Sequence, residues 1–359
     1  MTPGLGRDAA ASDAPDAHSP FDWPGFGLHD DIRPPLARAM AAGAPAVLAT
    51  LHHVIGGAPR GVGAQMLFWG GQMSGFLSGG CVEADVAVHA QAVLAHGTPR
   101  RITYGEGGPA DIALACGARI DLLLERIAPD DAAARRLLAL TAARRPALWL
   151  SDGLIRACVP APWTAADVSA LPSGLRAAAN TALGTPADAL GSAPFAIARA
   201  YEPPLRLVVL GGDPIAMAVV RLAGEMDIDT VVIRPKGPQQ APFCAPRYRR
   251  DSLHAALAEE TADPWTAIAI LTHDADQEHD ALTAALNTDA GYVGALGSRR
   301  RIPERNGRLA AAGLSPAAIA RVRAPIGLPI GGKSPWEIAV SIIAEIVAQT
   351  PPIRAEAPP

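Results

Sequence analysis

Cys81 lies in Leu77-Ser78-Gly79-Gly80-Cys81-Val82-Glu83 and Cys116 in Leu114-Ala115-Cys116-Gly117, each beside glycine. A thiol on backbone with almost no neighbouring side chains is open to a ligand. A place at a helix start would add the positive end of the helix dipole, which favours the thiolate. Sulfur chemistry, or ligation of a soft metal by sulfur, is the first chemistry these residues offer. Cys158 and Cys244 have no comparable surroundings, and none of the four cysteines forms a CxxC pair. Neither a disulfide framework nor a zinc ribbon is expected, and a reduced cytosolic setting fits. A zinc site from Cys81, Cys116 and one histidine stays open, although no spacing requires it. His52 and His53 are neighbours on a strand and face opposite sides, so at most one of them can reach Cys81.

Anion chemistry is the second candidate. In Gly297-Ser298-Arg299-Arg300-Arg301, a Ser cap after a strand and three arginines in the first helical turn would combine amides with guanidinium groups. Gly211-Gly212-Asp213-Pro214 follows a short apolar run, where a Rossmann phosphate loop belongs, without completing GxGxxG. Asp213 is the expected N-cap and Pro214 the first helical residue, so the carboxylate competes with a pyrophosphate for the same amides. The next strand ends in Ile233-Arg234-Pro235-Lys236, with no acid for a ribose hydroxyl; Arg234 or Lys236 suits a phosphate instead. His273-Asp274 ends a later strand. Gly327-Leu328-Pro329-Ile330-Gly331-Gly332-Lys333-Ser334 matches the P-loop pattern letter for letter. Pro335 disfavours the helical conformation that a P-loop Ser needs, and Ser334-Pro335-Trp336-Glu337 is better explained as a capping box.

The elements that must position these residues follow from periodicity. Residues 46–51 form a buried strand, followed by the turn-rich Gly56-Gly57-Ala58-Pro59-Arg60-Gly61. Residues 65–69 and 72–77 form a hairpin about Gly70-Gly71, and residues 82–96 a helix stopped by Gly97. Residues 119–127 close the first domain as a strand. Residues 130–145 are helical, residues 148–150 and 154–159 pair about Asp152-Gly153, and residues 160–202, rich in Ala and Pro, connect with little core of their own. From Leu205 onward, short apolar strands alternate with helices, as in a parallel doubly wound sheet with ligands at the strands' carboxyl ends.

At 359 residues the chain has room for two cores, its net charge of -4 gives no field to hold nucleic acid, and Lys236 and Lys333 are its lysines. No apolar run approaches the roughly 18–20 residues of a membrane span. Residues 1–31 lack the apolar stretch of a signal peptide and have the composition of a disordered tail.

Together these segments resemble the XdhC/CoxI family, accessory proteins of xanthine dehydrogenase and related molybdenum hydroxylases. The likeness covers roughly residues 34–125 and 205–348. It is carried by Gly57-Ala58-Pro59-Arg60 with Gly63 and Met66, Ser78-Gly79-Gly80-Cys81-Val82-Glu83, Tyr104-Gly105 and Leu114-Ala115-Cys116-Gly117. In the second half it rests on Thr272-His273-Asp274, Tyr292-Val293-Gly294-Ala295-Leu296-Gly297-Ser298-Arg299-Arg300 and Pro325-Ile326-Gly327-Leu328-Pro329-Ile330-Gly331. The resemblance implies an α/β protein with an N-terminal α+β XdhC/CoxI-type domain (residues 32–128), a helix, hairpin and connector (129–203) and a Rossmann-like doubly wound domain (204–350), ending in a tail (351–359).

It further implies a cytoplasmic chaperone whose cargo is the molybdenum cofactor, as molybdopterin or its dinucleotide form. The cofactor would be protected during sulfuration and delivered to a molybdenum hydroxylase apoenzyme. A cysteine desulfurase or sulfurtransferase would be a second partner and a homodimer the assembly. Cargo contacts would fall on Arg60, Gly79, Gly80, Cys81, Glu83, Cys116 and Gly117, and on Gly211, Gly212, His273, Asp274, Gly297, Ser298 and Arg299, with Cys81 and Cys116 beside molybdenum. The chain departs from the family's usual Gly-Ala-Gly-His type loop at Gly211-Gly212-Asp213-Pro214, lacks the acid common near Arg234, and lacks the usual basic residue after Asp274. A carrier needs no general acid, base or nucleophile, and none is evident. The rival readings are a Rossmann NAD(P)-dependent oxidoreductase using a thiol and His273, and a maturation factor that only contacts its partners.

Overall fold

The computed structural model describes residues 20–108, 114, 117–161, 163–182, 196–245, 247–259 and 261–349. Two units divide the chain, Met1–Asp130 and Asp131–Pro359.

In the first unit, helix α1 (Arg33–Ala41) precedes β1 (Ala46–Ile55), β2 (Gln65–Trp69), β3 (Gln72–Gly75), α2 (Glu83–His96), β4 (Arg100–Tyr104) and β5 (Arg119–Ile127). The strands form one antiparallel sheet in the order β3-β2-β1-β5-β4. Alternation along the strands aims Val47, Ala49 and Leu51 of β1 and Ile120, Leu122 and Leu124 of β5 at one face. Val82, Val86, Ala90 and Val93 cover that face from the α2 side, at the spacing of a helical stripe. The hairpin falls where expected, with Trp69 opposite Gln72 and φ of 49° at Gly70 and 76° at Gly71, angles that only glycine adopts cheaply. Gly97, with φ 74°, ends α2 as expected by donating its N–H to the Val93 carbonyl.

The second unit opens with α3 (Ala132–Ala142), β6 (Ala147–Ser151), β7 (Arg156–Pro160), α4 (Ala165–Ser169), α5 (Ser173–Ala182) and β8 (Ile197–Tyr201). The strands pair antiparallel in the order β7-β6-β8. The expected β6–β7 hairpin is present, but the stretch after it is more than a connector. Leu148, Leu150, Val159, Val168, Leu175, Ala178 and Ala179 are buried together, so this region has a core. Alanines on the packed side of α5 let the helix approach the strands closely, and that composition is easily mistaken for a linker.

The remainder carries β9 (Arg206–Leu210), α6 (Pro214–Glu225), β10 (Asp229–Ile233), β11 (Arg247–Arg249), α7 (Leu253–Glu259), β12 (Thr266–Ile270), α8 (Ala275–Leu286), β13 (Tyr292–Ala295), α9 (Ile302–Ala311), α10 (Pro316–Ala320), β14 (Val322–Arg323) and α11 (Pro335–Gln349). Its six strands are parallel in the order β11-β10-β9-β12-β13-β14, the 3-2-1-4-5-6 order of a dinucleotide fold. Strand β9 is buried on both faces, which explains its uninterrupted Leu207-Val208-Val209-Leu210. One face is covered by α6 and α11, through Val219, Ala223, Ile342 and Ile346, and the other by α7, α8 and α9, through Leu257, Leu282 and Leu309. The doubly wound sheet is as expected. Its switch point lies between β9 and β12.

Arg144, just past α3, is held at φ 51° and reaches the Rossmann part. Its Nε and Nη2 donate to the two oxygens of Asp263 at 2.6 and 2.9 Å, and its Nη1 donates to the Pro204 carbonyl at 3.0 Å. Burial alone would raise the Asp263 pKa, but Arg144 and Thr266 outweigh it and hold the carboxyl below its ordinary 3.8. Asp263→Ala is expected to lower the unfolding free energy by about 3 kcal/mol at neutral pH, because it strands a mostly buried guanidinium. Since the native value is depressed, this contribution is present above pH 3.8 and is lost as pH falls through the native pKa. Urea denaturation at pH 7 and in acid checks both points; a loss under about 1 kcal/mol at pH 7 would show that the joint does not depend on this pair.

Candidate functional site

The segment from Leu77 to Val82 is organised by one carboxylate. Glu83 is 1% exposed and is the first residue of α2, where a negative charge suits the helix dipole. Its Oε1 accepts from the amides of Leu77 at 3.0 Å and Ser78 at 2.7 Å. Its Oε2 accepts from the Ser78 hydroxyl at 2.7 Å, the Gly80 amide at 2.9 Å and the Val82 amide at 3.2 Å. The Ser78 hydroxyl in turn accepts the Cys81 amide at 3.1 Å. Burial pushes the Glu83 pKa up, but the Ser78 and Leu77 donors overcome it, and the net shift is downward. The loop amides therefore point inward, and Gly79, Gly80 and Cys81 are left exposed on the outside. Glycine is required at 79 and 80, where φ is 93° and 104°. The Cys81 thiol stands on a rigid bend just before the helix.

Arg60 is drawn to the same loop. Its guanidinium lies 5.2 Å from the centre of the Phe76 ring and donates to Asp30 at 2.8 Å. The edge of the Phe76 ring is 3.7 Å from where a Gly79 side chain would begin, so Arg60, Phe76 and Gly79 are contiguous. Cys116 lies outside the described residues. Its neighbours Leu114 and Ala118 join Leu77 and Val82 in one core, with Ala58 packed against it. Gly117 has φ 68° and is exposed.

A polar chain that the sequence reading missed runs beside the loop. Asp85 Oδ2 accepts from the buried Tyr104 hydroxyl at 2.6 Å and faces His89 Nε2 at 3.3 Å. Arg100 donates to His89 Nδ1 at 2.9 Å, and because arginine cannot accept, the histidine proton sits on Nε2, aimed at Asp85. Burial, then Asp85, raises the Tyr104 pKa. The i, i+4 spacing of Asp85 and His89 on α2 was the available signal. Elsewhere in this unit, His53 Nδ1 lies 2.8 Å from Asp121 past the irregularity in β1, while burial lowers the His52 pKa to about 4. Among the described residues no three His, Cys, Asp or Glu side chains converge as metal ligands.

In the second unit the carboxyl ends of β9 and β12 face each other across the switch point. Asp213 caps α6 as expected, with Oδ1 accepting the Ala216 amide at 2.8 Å, and Pro214 is the first helical residue. Asp213 Oδ2 is 3.2 Å from Nε2 of His273, which is otherwise exposed. Asp274 is occupied as the cap of α8, accepting the amides of Asp276 and Gln277. A side chain at Gly211 would press on Leu271, and one at Gly212 on the Arg234 guanidinium.

The arginine turn differs from expectation. Ser298 makes no side-chain capping bond, residues 299–301 form a 3-10 turn, and the α-helix begins at Ile302. Arg299 and Arg300 are exposed, and Arg301 reaches within 3.7 Å of Glu278. Arg305 lies beneath Gly297 and ties Glu278 at 2.6 Å to the Leu296 carbonyl at 3.0 Å. The P-loop lookalike is a capping box: Glu337 accepts the amides of Lys333 at 3.0 Å and Ser334 at 2.9 Å, so these amides cannot cradle a phosphate. Of the other cysteines, Cys158 is kept a neutral thiol by burial, its pKa pushed up to about 12. Cys244 packs its sulfur 3.8 Å from that of Met217.

Comparison with known proteins gives a consistent result. The model of the XdhC Rossmann domain matches residues 207–346, and that of the XdhC and CoxI family matches residues 39–105. The chain is 31% identical over 329 residues, 89% of each protein, to the molybdenum cofactor insertion chaperone PaoD of Escherichia coli K12. It is 27% identical over 332 residues, 84% of this chain and 92% of the relative, to a protein of Bacillus subtilis 168 described as a probable xanthine dehydrogenase component. A crystal structure described as a xanthine dehydrogenase from Bacillus halodurans superposes with a TM-score of 0.68 at 25% identity, over 91% of this chain and 98% of that one.

The geometry of the first loop makes a direct prediction. Glu83→Ala leaves five donor contacts without their acceptor and should cost about 3 kcal/mol of stability. Cys81→Ala, at an exposed position, should change it by less than about 0.5 kcal/mol. Because the Glu83 pKa is depressed, its contribution is present above its ordinary 4.5 and disappears as pH falls through the native value. Denaturant curves at pH 7 and pH 3 test this, and equal stabilities of Glu83→Ala and the parent at pH 7 would contradict it.

Proposed function

The chain belongs to the XdhC and CoxI family, and on that footing we propose that it carries the molybdenum cofactor as cargo and inserts it into a molybdenum hydroxylase. The observation that carries the reading is the Cys81 loop. Its backbone is fixed from within by Glu83, so a soft thiol is presented outward with no side chains at Gly79 and Gly80 to obstruct a bulky ligand. Sulfur is a suitable neighbour for molybdenum and its terminal sulfide. Arg60, beside the same loop, supplies a cation for the anionic pterin side. The relative named as an insertion chaperone aligns over most of both chains, which supports delivery as the outcome.

In this reading the cofactor rests against the loop while a cysteine desulfurase or sulfurtransferase installs its terminal sulfur, and the client apoenzyme then accepts it. The chain contributes binding, orientation and shielding from water. None of its own bonds is made or broken. Glu83 acts as a positioning residue, since both of its oxygens are committed to the loop.

Anaerobic incubation with molybdenum cofactor followed by gel filtration should give stoichiometric co-elution of molybdenum and pterin with the protein. Cys81→Ala should reduce bound molybdenum several-fold with an unchanged melting temperature. Retention equal to the parent would remove the thiol from the site. Absence of co-elution with the folded parent would replace the carrier reading with that of a factor that only contacts its partners.

A further inference from the structure

The second unit has the strand order of a dinucleotide fold, yet the helix start that would hold a pyrophosphate is filled by Asp213. Positive charge has instead gathered one strand over, at the carboxyl end of β10. The Arg234 side chain lies flat across Gly212: a β-carbon at Gly212 would stand 2.7 Å from Arg234 Cδ, 2.8 Å from Nε and 3.0 Å from Cζ. Only glycine leaves room for this arrangement. Arg234 is exposed, and its guanidinium has no ion-pair or hydrogen-bond partner among the described residues.

The turn that follows reinforces the pattern. The Gly237 amide closes it on the Arg234 carbonyl at 2.9 Å, and Pro235 fixes its second position. Lys236 occupies the third position at φ 59°, a left-handed conformation that glycine or asparagine adopts at lower cost. Arg250 holds the turn from below by donating to the Gly237 carbonyl at 2.8 Å. Lys236 is likewise exposed and unpaired among the described residues. Two cations, one pressed on the glycine loop and one held in a strained conformation beside it, thus stand at the position where this fold reads the ribose substituent of a nucleotide.

We propose that Arg234 and Lys236 form a phosphomonoester site at the end of β10, in place of the pyrophosphate site closed by Asp213. A dianionic phosphate fits the pair, because a guanidinium gives it two parallel donors and an ammonium a third. Two ligands carry that chemistry: the side-chain phosphate of molybdopterin and a ribose 2′-phosphate. The first source rests on the carrier reading; the second does not.

Cofactor retention and calorimetric titration with 2′,5′-ADP should be measured in parallel on the full chain, Arg234→Ala, Lys236→Ala and Gly212→Ala. Gly212→Ala keeps every charge but displaces the guanidinium, so it separates position from net charge. A drop of about tenfold in cofactor affinity in Arg234→Ala and Gly212→Ala, with no 2′,5′-ADP binding, assigns the site to the pterin phosphate. Binding of 2′,5′-ADP by the parent that weakens about tenfold in the same variants assigns it to a ribose 2′-phosphate, even if no cofactor is retained and the carrier reading fails. Cofactor retention that is equal in all four proteins, without 2′,5′-ADP binding, overturns the site and leaves the carrier reading standing. A folded parent that binds neither probe overturns both.

Discussion

The buried Glu83 carboxylate is the constraint on which the first unit's candidate site depends. An ionised carboxylate at 1% exposure is tolerated only if its lone pairs are filled, and four backbone amides and a hydroxyl fill them. The same bonds dictate the shape of the bend. They turn the amides of Leu77, Ser78, Gly80 and Val82 toward the protein, while Gly79, Gly80 and Cys81 remain exposed to solvent. Val82 and Val86 then drop into the core below, so α2 and the thiol-bearing loop form one rigid piece.

The second unit repeats this use of carboxylates at loop-to-helix junctions. Asp213 caps α6, Asp274 caps α8 and Glu337 closes the turn before α11. In each case a backbone nest that could attract an anion is already occupied by an acid of the chain itself. Anion recognition at these junctions must then come from side chains, and the cations at the sheet's carboxyl end that are unpaired among the described residues, Arg234, Lys236, Arg299 and Arg300, can supply it. The 3.2 Å contact of His273 with Asp213 links the loops that follow β9 and β12 at the switch point. The architecture of a Rossmann domain is kept while its usual phosphate loop is closed.

Local chemistry was sufficient for much of the architecture. Gly70-Gly71 marked a hairpin, Gly97 a helix end, Asp213-Pro214 a helix start and Ser334 through Glu337 a capping box, because each depends on contacts within a few residues. The strand and helix alternation after Leu205 likewise announced a parallel sheet. Strands β4, β8 and β11 went unread because they are short and partly exposed, so their pairing rather than their pattern makes them strands. The core under α5 was missed because alanine packing resembles linker composition.

The sequence by itself determined which residues could do chemistry and in what order the elements run. Tertiary structure alone decided which way those residues face. Nothing in the local pattern says that Glu83 turns inward, that Arg234 lies on Gly212, or that His273 meets Asp213 from sixty positions away. These outcomes come from helix packing, strand order and the need to satisfy every buried donor, which are properties of the assembled chain. A motif such as Ser78-Gly79-Gly80-Cys81-Val82-Glu83 therefore declared its importance in the sequence, while the separation of its scaffold, Glu83, from its presented group, Cys81, appeared only once the carboxylate was seen buried.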